Sequence, residues 1–242
     1  SQTVRIRHHG FEDVRLGDLL AGLAMQDLPR FHRPLPHRDK PLDQPWAPRP
    51  GAPLTTGRLF HKVNSILSRK LSVVADPGDA MFGAIDLSVH EGTDFLATAF
   101  YATLGWAVPA AIGAQVARGA VRPLVLVGDG AFQMTGTELS TAVRLGLDPI
   151  VVVLNNRGYL TERFILEGKF NDIHNWNYHQ LPALLGGGHG CVAATEEEFS
   201  RALDHAVSTP GGFHLIEARL DPMDASPALR RLGERLAAEA KQ

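Results

Sequence analysis

The stretch that most constrains this 242-residue chain is residues 124–162, LVLVGDGAFQMTGTELSTAVRLGLDPIVVVLNNRGYLTE. Two apolar runs, 124–127 and 150–154, flank a segment with helical spacing over roughly 135–146. Apolar runs without polar alternation mark strands buried on both faces, the habit of parallel sheets. A strand–helix–strand unit crosses over with a right hand and sets its two strands parallel, commonly as neighbours. The loops that follow both strands then open on the same sheet edge. The rest of the chain has to accommodate that unit.

Similar segments surround it. Residues 55–69 read as a helix, 71–75 as a buried strand and 94–98 as a second short strand, followed by a small-residue helix over roughly 105–118. A strand near 191–193 leads into a helix opened by Thr195-Glu-Glu-Glu198, whose threonine and third glutamate have capping-box spacing. The last strand is 213–218, and a polar amphipathic helix closes the chain. Strands alternating with helices predict an α/β fold, a mostly parallel sheet with helices on both faces. The glycine-rich 186–190 reads as a connecting loop.

Residues 29–54 hold a large share of the 16 prolines with almost no apolar periodicity, so they read as an extended linker crossing a surface. Before them, 1–28 offer one strand pattern, TVRIRHHG, and one helix, VRLGDLLAGLA, too little for a core. They read as the end of a middle domain, and 55–242 as the principal one. Composition narrows function further. A net charge of −2, with 24 scattered basic residues, gives no electrostatic case for nucleic acid or an anionic membrane. The single cysteine, Cys191, excludes an internal disulfide or a thiolate metal cluster and fits a reducing, cytoplasmic setting. No apolar run approaches membrane-spanning length, and no signal peptide opens the sequence.

The two strand ends carry the chemistry. Gly128-Asp129-Gly130 follows the first and Asn155-Asn156 the second, so Asp129 and Asn156 face one crevice at the carboxyl edge, where open α/β sheets bind ligands. A carboxylate, a carboxamide oxygen and a backbone carbonyl, here that of Gly158, are hard donors suited to Mg²⁺. A helix beginning near Thr135 would aim its amino end at the same crevice and favour an anion. Either turn alone is commonplace. One βαβ unit apart, they predict a metal-bridged phosphate site.

Together with ADPGDAMFGA, FYATLGWAVPAAIGAQ and FNDIHNWNY in order, these segments resemble the carboxyl-terminal half of thiamine diphosphate-dependent 2-oxo acid decarboxylases of the pyruvate, indolepyruvate and phenylpyruvate type. The resemblance covers Thr3 to about Arg219, and VRIRHHGFEDVRLGDLL resembles the end of that family's middle domain. It implies a lyase that releases CO₂ from a 2-oxo acid, with thiamine diphosphate and Mg²⁺ as cofactors. Asp129, Asn156 and the Gly158 carbonyl would bind the metal. Gly128, Gly130, Ala131 and Tyr159 would line the diphosphate, with Gly78, Asp79 and Ala80 on the same face. The Ala102 carbonyl would meet the aminopyrimidine, Leu104 would support the bent cofactor, and Glu162 would act on bound intermediates. Asp79-Ala80 stand where many relatives carry Thr-Ser, and Ala131 where serine is frequent. The family's activating glutamate lies on a pyrimidine-binding domain outside these 242 residues. The resemblance therefore implies a homo- or hetero-oligomer in which another segment or chain supplies that domain, and no turnover by this chain alone. The alternatives are a carboligase of the acetohydroxy acid synthase type and a non-catalytic binding subunit that retains the cleft.

Overall fold

The computed structural model describes residues 3–28 and 41–239. The chain falls into two compact units, Ser1–Asp39 and Lys40–Gln242. In the first unit, strand β1 (Val4–Ile6) pairs antiparallel with β2 (His9–Phe11), and helix α1 (Leu16–Ala24) follows. The second strand is a correction to the single orphan strand expected. Arg7 takes a φ of 55° and closes the tight turn after β1, which frees the short His9-Gly10-Phe11 run to pair. None of the α1 residues is buried, and Leu16, Leu20 and Leu23 are exposed. The linker expectation for 29–40 falls outside the described residues.

The second unit is built on a six-stranded parallel sheet in the order β4-β3-β5-β6-β8-β7. Its elements are helix α2 (Thr56–Ile66), β3 (Leu71–Ala75), helix α3 (Asp79–Ala84), β4 (Phe95–Ala97), helix α4 (Ala107–Ala117), β5 (Arg122–Gly128), helices α5 (Asp129–Thr135) and α6 (Leu139–Leu145), β6 (Ile150–Asn155), helices α7 (Leu160–Ile165) and α8 (Leu181–Leu185), β7 (His189–Ala193), helix α9 (Glu196–Ser208), β8 (His214–Arg219) and helix α10 (Pro227–Glu239). Every residue of β3 and β6 is buried, as expected for strands covered on both faces. Leu59, Phe60, Leu203 and Phe199 pack one face, and Val108, Ile112, Phe132 and Leu139 the other. The fold class is the α/β one expected.

Residues 41–53 lie along this unit rather than away from it. The Arg49 guanidinium donates to the buried Glu196 carboxylate at 2.5 Å, Arg58 does so at 2.7 Å, and Trp46 stacks beneath Arg58 at 4.0 Å. The capping box at Thr195 is formed in both directions. Two elements differ from the sequence reading. β7 begins at His189, two residues before Cys191, so the glycine loop is only 186–188. The helix expected near Thr135 begins at Asp129, directly on the end of β5, and is interrupted at Thr135, where φ is −139°. Burial of Ala131 and Phe132 outweighs the poor helical propensity of Asp129-Gly130.

The strand order reverses between β3 and β5, which are hydrogen-bonded neighbours although β4 lies between them in sequence. In open α/β sheets that reversal opens a crevice beyond the carboxyl ends of the strands.

Candidate active site

The crevice is walled by the chain leaving β3, β5 and β6. β5 and β6 pair from Leu124 opposite Ile150 to Gly128 opposite Leu154, so Asp129 and Asn156 leave adjacent strand ends. Gly78, Asp79 and Ala80 come from the β3 side. Gly128, Asp129, Gly130 and Ala131 come from β5, and Asn156, Gly158, Tyr159 and Glu162 from β6, with Leu104 completing the wall. Ala102 stands apart from that lining. It is exposed, two residues before Leu104, with a left-handed φ of 57° that is strained for a residue with a Cβ.

Asp129 is the electrostatic centre. It is 1% exposed. One carboxylate oxygen accepts the Gly130 N–H at 2.7 Å, and the other accepts those of Arg157 at 2.6 Å and Gly158 at 3.2 Å. Burial nevertheless pushes its pKa up to about 6, because partial charges on amides replace only part of the lost hydration. The loop that supplies two of these amides is strained. Arg157 takes a φ of 64°, and Gly158 takes 154° in a place where a Cβ would collide with the Asn171 carbonyl oxygen. That left-handed turn directs successive N–H groups at one anion. Tyr159 donates its N–H to the Asn171 carbonyl at 2.9 Å, and its ring covers Gly130, where a Cβ would lie 2.6 Å from Cε1.

The donor set fits a hard cation and a phosphate. Among the described residues, the side chains of Asn156, which lines the crevice, and of Glu162, at its exposed mouth, make no hydrogen bond. Two wall atoms are buried and unpartnered, Asp79 Oδ1 and Thr161 Oγ1. An unsatisfied polar atom is costly unless something else meets it. Asp79 Oδ2 accepts the Ser226 N–H at 2.9 Å, and burial raises the Asp79 pKa. α3 and α5 both begin on this crevice at acidic residues, Asp79 and Asp129. Beside it lies an apolar pocket of Leu104, Met134, Tyr159, Ile165, Leu166 and Phe170.

Sequence reasoning missed Asp76, Thr135 and Thr161. Asp76 is fully buried after β3. The DPGD run around it reads as a turn, and nothing local announces its distant partners. Thr161 sits between Leu160 and Glu162, where only the fold shows which way its hydroxyl points. His8 and His9 lie in the other unit, on the β1–β2 turn and on β2.

A parallel α/β sheet with an acid and a carboxamide at adjacent strand ends places polar donors where open sheets of this class bind ligands. Residues 77–218 match the family model described as thiamine pyrophosphate enzyme, C-terminal TPP binding domain. The chain belongs to that family. It is 36% identical over 234 residues to the indole-3-pyruvate decarboxylase of Azospirillum brasilense, which covers 95% of this chain and 42% of the relative. It is 35% identical over 190 residues to a pyruvate decarboxylase of Neurospora crassa, covering 77% of this chain and 33% of the relative. It is 35% identical over 184 residues to an alpha-keto-acid decarboxylase of Mycobacterium tuberculosis, covering 74% and 33%. The chain thus spans less than half the length of these relatives. No helix among the described residues is long and apolar enough to cross a membrane.

Proposed function

We propose that this chain supplies the diphosphate- and metal-binding half of the active site of a thiamine diphosphate-dependent, non-oxidative 2-oxo acid decarboxylase. The observation that carries the proposal is Asp129, a buried carboxylate whose pKa burial lifts to about 6, beside the unpartnered Asn156 carboxamide. A buried anion in that state gains most from a hard cation. In this reading Asp129, Asn156 and the Gly158 carbonyl hold Mg²⁺. Gly128, Gly130, Ala131 and Tyr159 line the diphosphate from one side, and Gly78, Asp79 and Ala80 from the other. The Ala102 carbonyl and the Leu104 side chain meet the remainder of the cofactor.

Bound thiamine diphosphate supplies the electron sink for loss of CO₂. The chain's own residues bind, orient and exclude water. Leu104 presents an apolar surface at the junction of the crevice and the neighbouring pocket. Glu162 stands at the mouth of the same crevice, where its carboxyl group would pass a proton to or from a bound intermediate. Residues 1–28 would end a middle domain, 29–54 link it, and 55–242 form the diphosphate-binding domain. The pyrimidine-binding domain would come from another segment or chain in an oligomer, in a cytoplasmic setting consistent with one unpaired cysteine.

Calorimetric titration with thiamine diphosphate, with and without Mg²⁺, tests the binding half. Tight binding that needs Mg²⁺ is expected, and Asp129→Ala should abolish it. Unchanged affinity in that variant would sink the metal assignment. Product analysis of the complete assembly on a panel of 2-oxo acids then separates aldehyde and CO₂ from the acetohydroxy acid of a carboligase.

A further inference from the structure

Leu104 touches both the crevice and the apolar pocket, so whatever fixes its backbone fixes the wall between them. A side chain can hold a ligand in place only as firmly as its own support allows. The turn after Leu104 is held from two sides. Asp76 accepts the Gly105 N–H at 3.0 Å through Oδ1 and the Ala107 N–H at 2.7 Å through Oδ2. The Thr135 hydroxyl donates to the Gly105 carbonyl at 2.6 Å. Both faces of one short turn are thereby tied, one to the end of β3 and the other to the end of α5.

The arrangement departs from an ordinary helix start. A typical N-cap comes from the residue adjoining the helix. Here Trp106 provides no side-chain cap for α4, and the acceptor comes from 31 residues earlier in the chain. Asp76 is itself fixed, since its N–H donates to the Leu126 carbonyl of β5 at 2.9 Å and none of it is exposed. Gly105 has a φ of 78°, and a Cβ there would lie 3.0 Å from Met134 Cβ and 3.2 Å from the Ala131 carbonyl oxygen. The backbone can approach α5 this closely only at glycine. α5 begins at Asp129 and ends at Thr135, so one short helix connects the acidic strand end to the Leu104 turn.

We infer that Asp76 and Thr135 are positioning residues that lock the Leu104–Gly105 turn between β3 and α5 and so set where the Leu104 side chain meets the cofactor. The inference rests on the reading of Leu104 as cofactor support. Burial raises the Asp76 pKa, and the acceptance of two amides justifies keeping so buried an acid there.

The experiment uses the complete active-site assembly carrying Thr135→Val, Thr135→Ser, Asp76→Asn, Leu104→Ala or the Leu104→Ala/Thr135→Val pair. Thr135→Val is nearly isosteric and removes one hydrogen bond at a half-buried site, so it folds even where Asp76→Asn does not. In Thr135→Val, kcat should fall about fivefold, the worth of one lost hydrogen bond. The dissociation constants for Mg²⁺ and thiamine diphosphate should move less than about twofold, and Thr135→Ser should restore kcat. In the cofactor-free protein, amide exchange at Gly105 and Ala107 should quicken by about tenfold with distant core amides unchanged. On the Leu104→Ala background, Thr135→Val should cost no further kcat, because the effect passes through the missing side chain. A full-rate Thr135→Val enzyme, or multiplicative losses in the pair, overturns the inference while leaving Leu104 in its role. A full-rate Leu104→Ala enzyme overturns the role of Leu104 and the inference with it.

Discussion

Replacing Asp129 by asparagine should leave the cofactor-free protein at least as stable at neutral pH while destroying the proposed metal site. The native carboxyl titrates at about 6, against an ordinary value of 3.8, and the cause is burial. That difference of roughly two pKa units is worth about 3 kcal/mol. A raised folded-state pKa means that the native state binds the proton more tightly than the unfolded one. The associated stability is therefore complete below about pH 3.8 and is lost as pH rises through about 6. Asparagine carries no such dependence. Its amide can still present one oxygen to the Arg157 and Gly158 N–H groups, but its NH₂ then faces the Gly130 N–H, now 2.7 Å from a carboxylate oxygen. That lost bond costs about 1–3 kcal/mol at every pH. The variant should thus be the less stable protein near pH 4.5. By pH 8 it should match or exceed the wild type, with a relative swing between pH 4.5 and 8 of about 2 kcal/mol, or roughly 4–8 °C in Tm. Urea unfolding in chelator from pH 4.5 to 8 measures the swing, and titration with Mg²⁺ and thiamine diphosphate should show binding lost. Parallel pH profiles for the two proteins would refute the claim that Asp129 holds an uncompensated charge.

Three further expectations concern two residues of the same wall and the buried carboxylate at the start of α9. Thr161→Val should leave the cofactor-free protein as stable or slightly more so, by up to about 1 kcal/mol, since it deletes an unpartnered buried hydroxyl. Thiamine diphosphate affinity should still fall about fivefold if that hydroxyl meets the bound cofactor, and equal affinity in calorimetry would count against that contact. Glu162→Gln should bind cofactor normally in the complete assembly yet lose about 10²–10⁴-fold in kcat, and a full-rate variant would return Glu162 to the status of a surface residue. Glu196→Gln should lower thermal stability, because it leaves the Arg58 and Arg49 guanidiniums facing a neutral group at a fully buried position. Those guanidinium bonds hold the Glu196 pKa down to about 2, so the wild-type advantage in thermal melts should persist until pH falls well below 4.5.

How much of the fold was legible depended on how strongly each segment repeats. β3, β5 and β6 are continuous apolar runs, and their burial on both faces left one reading available. α9 announced itself through Thr195 and Glu198. α3 and α7 are six residues each, under two turns, which is too short for a 3.6-residue period to register. The start of α5 was misplaced by six residues for a related reason. Asp129-Gly130 reads locally as a turn, whereas the fold uses Asp129 as both strand end and first helical residue, and the change of geometry at Thr135 takes the place of a helix start.

The site divides along the same line. Beyond the sheet, three neighbouring strand ends carry buried polar side chains, Asp76 after β3, Asp129 after β5 and Asn155 at the end of β6. Sequence alone cannot say which of them serves a ligand, because each is a small polar residue after an apolar run. The structure separates them by what each side chain touches. Asp76 gives both oxygens to the Leu104 turn and stays out of the crevice lining. Asn155 donates to Glu217 at 3.0 Å, within a buried network that also takes the His179 ring nitrogen at 2.6 Å. Only Asp129, with Asn156 one residue beyond Asn155, borders the open crevice. The spacing of one βαβ unit pointed to the pair that borders one crevice because adjacent parallel strands in register must bring their ends together. It could not point to Asp76, whose partners are backbone N–H groups about 30 residues away, and a backbone group carries no side-chain signature for a sequence to display.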